Sequence, residues 1–309
     1  MAVILPCMNE ELTIGKVVRD FLASLPGATV YVYDNASTDR TAEAAELAGA
    51  VVRSCPRRGK GNVVRRMFSE VEASVYVLAD GDDTYDAGAA PRLVRHLCAG
   101  SFDMVIGARI ESEEAEHAYR LGHRLGNRTL SRSVRWVFGD GPNDMLSGFR
   151  VLSRRYVKSF PATSCGFETE TEMTVHALDL RLPFDELPTT YRDRPRESTS
   201  KLRTLPDGFK ILKFILLMCK DYRPLRFFSL IGLLAGLGAL FVAVSGAGHL
   251  AEVTWGAIGG AALSAGAVLS LWTGVVLDSV GRSRREMTRM LYLAIPGAAW
   301  PAALPPSAV

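Results

Sequence analysis

The four residues Asp80-Gly81-Asp82-Asp83 put three carboxylates within a few ångströms of chain. Like charges this close repel one another unless a cation sits among them. Mg2+ and Mn2+ prefer such hard oxygen ligands and bridge carboxylates to phosphates. A solvated turn accounts for the same residues equally well, so the motif alone decides nothing. Two cations add to it: Lys60 in Gly59-Lys60-Gly61 and Arg109 in Gly107-Ala108-Arg109 stand in loops within reach of a diphosphate. Neither GxxxxGK[ST] nor GxGxxG occurs, which disfavours NTP hydrolysis and dinucleotide binding.

Elements that would hold these residues alternate along the first 110 positions. Residues 2–5 read as a short buried strand. Ile14, Val17, Val18, Phe21, Leu22 and Leu25 then recur at helical spacing, which predicts an amphipathic helix over 10–25. A strand at 29–33 precedes a helix capped at Ser37 or Thr38 and ending by Gly49. A strand at 51–54, a helix at 62–72 and a strand at 75–79 follow, with Pro91 in a first helical turn and a further strand at 104–108. Such alternation predicts a mostly parallel α/β sheet with helices on both faces. Ligands of these sheets bind at the carboxyl ends of the strands, where Asn9-Glu10, Asp34-Asn35, residues 80–83 and Arg109 fall.

The chain has 309 residues and a net charge of +3, too balanced for a polybasic nucleic-acid binder. Cys7, Cys55, Cys98, Cys165 and Cys219 are far apart and form no CxxC pair, which argues against a disulfide framework or zinc site and for a reducing compartment. No signal peptide is expected, because the apolar run at 2–5 meets Pro6 at once. The last third differs in character. Residues 227–248 and 253–277 carry no charge over 22 and 25 positions, each more than the ~20 residues that cross a hydrocarbon core. Lys213, Lys220, Arg223 and Arg226 precede the first run, Arg282, Arg284, Arg285 and Arg289 follow the second, and the intervening turn has neither Lys nor Arg. The positive-inside rule then puts both ends, and the preceding domain, on the cytoplasmic side of an inner membrane. Four segments are expected: a catalytic domain over 1–208, an interfacial helix over 209–226, a transmembrane hairpin over 227–280, and a basic segment with a disordered tail over 281–309.

Six motifs in order carry a resemblance: Pro6-Cys7-Met8-Asn9-Glu10, Asp34-Asn35-Ala36-Ser37-Thr38-Asp39, Gly59-Lys60-Gly61, Asp80-Gly81-Asp82-Asp83, Gly107-Ala108-Arg109 and Asp144-Met145-Leu146-Ser147-Gly148-Phe149-Arg150. With Tyr191-Arg192-Asp193-Arg194 and Ser198-Thr199-Ser200-Lys201-Leu202, they make the first 215 residues or so similar to family 2 glycosyltransferases of GT-A fold. Within that family the chain resembles the dolichyl-phosphate mannose synthase and polyprenyl-phosphate glucosyltransferase group. The resemblance implies a Rossmann-like GT-A domain followed by a two-helix membrane hairpin. It also implies inverting transfer from a UDP- or GDP-linked sugar to a polyprenyl phosphate, aided by Mg2+ or Mn2+. Pro6, Met8 and Glu10 would line the base and ribose pocket, with Asp34 on the nucleoside. Asp80 would approach the donor sugar or ribose, and with Asp82 hold the metal on the diphosphate, which Lys60 also reaches. Arg109, with Arg120 or Arg124, would receive the acceptor phosphate, while Arg194 and Lys201 would close a loop over the donor phosphates. Asp144 is expected to be functional as part of its run. The implied partners are the donor, the lipid phosphate and a bilayer, without nucleic acid; a homo-oligomer is compatible with all of this.

A lipid phosphate is already an anion, so its attack on an anomeric carbon needs no strong base. Positioning and charge stabilisation would supply the catalysis. A hydroxyl acceptor would instead need a carboxylate base, for which Asp144 or Asp83 stands available. A catalytically inactive membrane scaffold is a third reading, opposed by the intact Asp and Arg positions. Glu168, Glu170 and Glu172 lie two apart, so only Glu168 and Glu172 share a helix face, in a structural or a substrate-proximal role. The five histidines show no ligand spacing. Arg150, Arg154 and Arg155 read as either a solvated face or a lipid-headgroup patch.

Overall fold

The computed structural model describes residues 1–111, 131–132, 134–135, 138–139, 141–166, 168–192, 213, 216–217, 219–246 and 253–296. These fall into two compact units, Met1–Leu212 with Arg289–Val309, and Lys213–Thr288.

In the first unit the chain runs β1 (Ala2–Cys7), α1 (Ile14–Ser24), β2 (Thr29–Asp34), α2 (Thr41–Leu47), β3 (Val51–Ser54), α3 (Lys60–Glu70), β4 (Val75–Leu78), α4 (Ala90–Ala99), β5 (Met104–Glu111), β6 (Arg150–Ser153), α5 (Arg154–Ser159), α6 (Thr169–Leu180) and β7 (Phe184–Tyr191). One seven-stranded sheet results, in the order β3-β2-β1-β4-β6-β5-β7. Neighbours are parallel except β6, which runs antiparallel to both β4 and β5.

Strand residues alternate between two cores. Val3, Leu5, Val30 and Val32 pack with Ile14, Val18 and Phe21 of α1 and Leu93, Val94 and Leu97 of α4. Ile4, Tyr33, Tyr76 and Leu78 pack with Val63, Val64 and Met67 of α3, Tyr156 of α5 and Met173 of α6. Both faces are therefore covered, as near-continuous apolar strands require. This is the GT-A-like α/β arrangement, with a mostly parallel but mixed sheet.

Several boundaries differ from the periodicity reading, each for a local reason. α1 begins at Ile14 instead of position 10, because Asn9 takes a left-handed φ of 55° and turns the chain first. α2 begins at Thr41, not at Ser37 or Thr38. The Ser37 amide donates to Asp34 and the Thr38 amide to the Asn9 side chain, while Asp39 accepts from the Thr41 amide at 3.1 Å. α3 starts two residues early, which places Lys60 in its first turn. β5 continues past position 108 to Glu111 because β7 pairs with its whole length.

The second unit holds α7 (Pro224–Gly246, 23 residues) and all but the end of α8 (Val253–Leu293, 41 residues), and both helices are long and apolar enough to cross a membrane by length and composition. Leu233, Leu234, Leu237 and Phe241 of α7 are exposed, as are Val268, Leu269 and Trp272 of α8. The Ser270 hydroxyl donates to the Phe228 carbonyl at 2.9 Å, and Arg285 donates to the Tyr222 carbonyl at 3.1 Å. The second helix does not stop near residue 277. It continues through Arg282, Arg284, Arg285 and Arg289, since arginine is a good helix former and Arg282 pairs with Asp278 one turn back. Of the expected interfacial helix over 209–226, residues 213, 216–217 and 219–222 are helical and 224–226 open α7. Positions 209–212, 214–215 and 218, the turn at 247–252 and the tail beyond 296 lie outside the described residues.

Candidate active site

The parallel register aligns the carboxyl ends of three strands. Cys7 of β1 stands opposite Asp34 of β2, and Ile4 stands opposite Leu78 of β4. The segments that leave these ends, carrying Met8, Asn35 and Asp80, therefore start from one edge. Pro6, Met8 and Asp34 are half-buried there and Glu10 is buried. Asn35 ties the edge together: its amide donates to the carbonyls of Cys55 and Arg57 at 2.8 Å, and its oxygen accepts from the Gly59 amide at 2.8 Å. That brings the loop before α3, and hence Lys60, over the sheet edge.

Lys60 meets two carboxylates. Its Nζ lies 2.5 Å from Asp80 Oδ1 and 2.5 Å from Glu170 Oε1, in the first turn of α6. Burial alone would push the lysine pKa down, but the two carboxylates more than reverse this and hold it well above the ordinary value. Gly148 completes the enclosure. A Cβ there would stand 2.7 Å from Asp80 Oδ2 and 3.4 Å from Lys60 Nζ, so only glycine leaves both undisturbed.

The other aspartates part company. Asp82 is buried, and its Oδ1 accepts from the Thr84 hydroxyl at 2.6 Å. Asp83 sits at φ 60° and turns to Lys16 of α1, 2.7 Å away. The ligands Asp80 and Asp82 offer are hard oxygens, which suit Mg2+ or Mn2+. Among the described residues no three His, Cys, Asp or Glu side chains gather as a ready cage. Asp80 and Asp82 would supply only part of the shell of such a cation.

A second cluster forms at the carboxyl end of β5. Arg109 grips Asp144 in bidentate fashion, Nε to Oδ2 and the terminal nitrogen to Oδ1, both at 2.7 Å, and its guanidinium lies 5.4 Å from the Tyr191 ring centre. Glu186 of β7 accepts from the amides of Asn143 and Asp144 at 2.8 and 2.9 Å, which fixes the loop carrying Asp144. The Tyr85 hydroxyl accepts from the Gly148 amide at 2.8 Å, and Tyr85 stacks edge-on against Tyr191. Burial raises the pKa of both tyrosines, so both stay neutral.

Arg150 is neither a solvated nor a headgroup-facing residue; it is fully buried. It donates to the carbonyls of Ser147, Met145 and Glu170 and to the Thr174 hydroxyl, so it joins the Asp144–Gly148 loop to the first turn of α6. Arg155 pairs with buried Asp103, and Arg154 with Glu72. Of the three glutamates, Glu172 is structural: it accepts from the amides of Thr163 and Ser164 at 2.7 and 2.9 Å. The one that reaches the site is Glu170, the residue helical face-sharing had set apart.

Asp80, Asp82 and Lys60 therefore stand beside Pro6, Met8, Glu10 and Asp34, and Arg109 joins Asp144. Arg120, Arg124, Arg194 and Lys201 lie outside the described residues. Glu170, Glu186 and Tyr85 are additions. For Glu170 the only signal was its place in an acidic triplet, and for the other two the sequence carried none.

Comparison with known proteins bears on this geometry. Residues 2–159 match the family described as glycosyl transferase family 2. Glycosyltransferase AglJ of Haloferax volcanii is 36% identical over 79% of this chain and 81% of its own length. A dolichyl-phosphate hexose transferase of the same organism is 30% identical over 72% of this chain and 95% of its own. The crystal structure of Mycobacterium tuberculosis glucosyl-3-phosphoglycerate synthase with Mn2+, UDP-glucose and phosphoglyceric acid superposes with a TM-score of 0.56 at 24% identity. It covers 71% of this chain and 79% of that one, and the likeness is one of fold. The ordered motifs, the sheet edge on which they converge and the match over half the chain agree, and the protein belongs to glycosyl transferase family 2.

Proposed function

We propose that this family 2 glycosyltransferase moves a sugar from a nucleotide-sugar to a polyprenyl phosphate at the cytoplasmic face of a membrane in which α7 and α8 are anchored. The observation that carries the acceptor assignment is the fate of the two carboxylates available as bases. Asp83 is paired with Lys16, and Asp144 with Arg109. A hydroxyl acceptor would need one of them free to take a proton; a phosphate acceptor needs neither. The relative whose name includes dolichyl phosphate supports the same acceptor. The family 2 membership, and the neighbour of like fold solved with UDP-glucose and Mn2+, support the donor and the cation.

In this reading, Pro6, Met8, Glu10 and Asp34 line the nucleoside pocket, and Asp80 and Lys60 face the sugar diphosphate. A divalent cation at Asp80 and Asp82 would neutralise the departing diphosphate. Arg109 would orient the acceptor phosphate while it stays paired with Asp144, and Glu186 keeps the Asp144 loop in place. Attack opposite the diphosphate inverts the anomeric centre. Arg120, Arg124, Arg194 and Lys201 are proposed as further phosphate ligands. The flanking Lys and Arg residues orient the hairpin with the catalytic domain inside. Anchoring by the hairpin would keep that domain at high effective concentration near the lipid phosphate.

The test is a screen of UDP- and GDP-sugars with polyprenyl phosphate, using the full chain in lipid nanodiscs. The expected product is a mild-acid-labile lipid monophosphate sugar, lost in Asp82→Ala. Label that appears only in acid-stable product would sink the acceptor assignment. Full activity of Asp82→Ala would remove the metal role.

A further inference from the structure

Among the described residues Lys60 is the one cation beside Asp80, and a lone buried lysine there would be a ready anion site. It is not left in that condition. Asp80 and Glu170 both lie 2.5 Å from its ammonium, and Glu170 is buried, with its side chain 7% exposed. Three groups with two negative charges and one positive carry a formal charge of −1, facing the place where a diphosphate would lie.

Glu170 has a plausible duty in stability alone, since an acidic residue in the first turn of a helix complements the helix dipole. The surrounding contacts make that duty insufficient. Glu172 already holds the 163–164 loop to α6. Arg150 holds the first turn of α6 through the Glu170 backbone carbonyl, independently of its side chain. The Glu170 carboxylate is thus spared the packing of its own helix and spent on Lys60.

We propose that Glu170 makes donor binding depend on a divalent cation. By placing a second carboxylate on Lys60, it cancels the lysine as an anion site, so a nucleoside diphosphate enters with a cation and is repelled without one. The proposal rests on the nucleotide-sugar reading above. It assigns Glu170 a positioning role, acting through Lys60 and not on the reacting atoms.

Calorimetric titration of UDP and of GDP into the full-length protein, with and without Mn2+, tests it. The quantity read is the ratio of affinities with and without the metal. Glu170→Gln keeps the shape and removes the charge, and is expected to shrink the ratio about tenfold by tightening metal-free binding. Glu170→Asp retains the charge and is expected to stay near the wild-type ratio. Lys60→Gln unmasks both carboxylates and moves the ratio the opposite way, which provides a reading even if Glu170→Gln fails to fold. A purely structural role for Glu170 lowers the melting temperature and leaves the ratio alone. An unchanged ratio in folded Glu170→Gln, or in Lys60→Gln, overturns the proposal. Wild-type protein that binds neither nucleotide with Mn2+ overturns the donor reading instead, and this inference with it.

Discussion

Replacing Gly148 by alanine adds a single methyl group directly against Asp80. Its Cβ would stand 2.7 Å from Asp80 Oδ2 and 3.3 Å from Asp80 Cγ, where ordinary contact begins near 3.4 Å. The carboxylate must therefore retreat by about 0.7 Å. It cannot do so freely, because its other oxygen is held by Lys60, itself held by Glu170. Misplacement of a reacting group by about 1 Å costs on the order of 100-fold in rate. For 0.7 Å we expect kcat/KM to fall roughly 10- to 100-fold, or about 1.4–2.7 kcal/mol of transition-state stabilisation. Global stability should change by less than about 1 kcal/mol, since the backbone at this glycine is not left-handed and alanine restricts the unfolded chain. Initial rates of radiolabelled lipid product across donor concentrations, with a thermal melt of the same sample, separate the two effects. An alanine variant with wild-type kcat/KM would refute the claim that Asp80 must sit where it does, and so would a rate loss matched by unfolding.

Two further outcomes concern stability. Arg150→Met strands the carbonyls of Met145 and Ser147, while that of Glu170 keeps the Thr174 hydroxyl; at about 1–3 kcal/mol for each of the two buried acceptors, a loss of about 2–6 kcal/mol is expected. An unshifted urea midpoint would show that the buried guanidinium does not brace the site. His176 is buried beside Ser159, and burial lowers its pKa to about 4 from the ordinary 6.5. The folded state therefore prefers the neutral ring. Its contribution is complete above about pH 6.5 and is lost as pH falls towards 4, at most on the order of 3 kcal/mol. Melting temperature should fall more steeply over that window in the wild type than in His176→Gln; parallel curves would contradict this.

Much of the first half of the fold was legible because its signals are local. The apolar runs at β1, β2 and β4 and the 3.6-residue spacing of Val17, Val18 and Phe21 each lie within one element. The polar residues at the strand ends follow from the parallel topology alone. What could not be read is set by distant contacts. Periodicity marks a strand without giving its direction, so the antiparallel run of β6 between β4 and β5 was invisible. A buried arginine bound to neutral oxygens and the Met104 sulfur looks, in sequence, like any surface arginine; Arg150 was misjudged for that reason. Face-sharing on a helix assumes one buried face, and α6 is buried nearly all round, so Glu170 and Glu172 point to opposite partners. The ends of α1 and α2 were displaced by the Asn9 turn and the Asp39 cap, both of which depend on side-chain bonds across the 9–41 loops.

The antiparallel strand has a consequence for how such a protein can change over generations. β1 to β4 are joined by crossovers of 21, 16 and 20 residues, each holding one helix packed on the sheet. Between the end of β5 at Glu111 and the start of β6 at Arg150 lie 38 residues, and both strands are fixed by partners elsewhere in the sheet. Length can therefore change between β5 and β6 with less disturbance of the sheet than between β1 and β4, provided Arg109, Asp144, Gly148 and the proposed phosphate ligands Arg120 and Arg124 are kept. One half of the sheet edge is held by its crossovers, and the other by a few residues set into a longer connection.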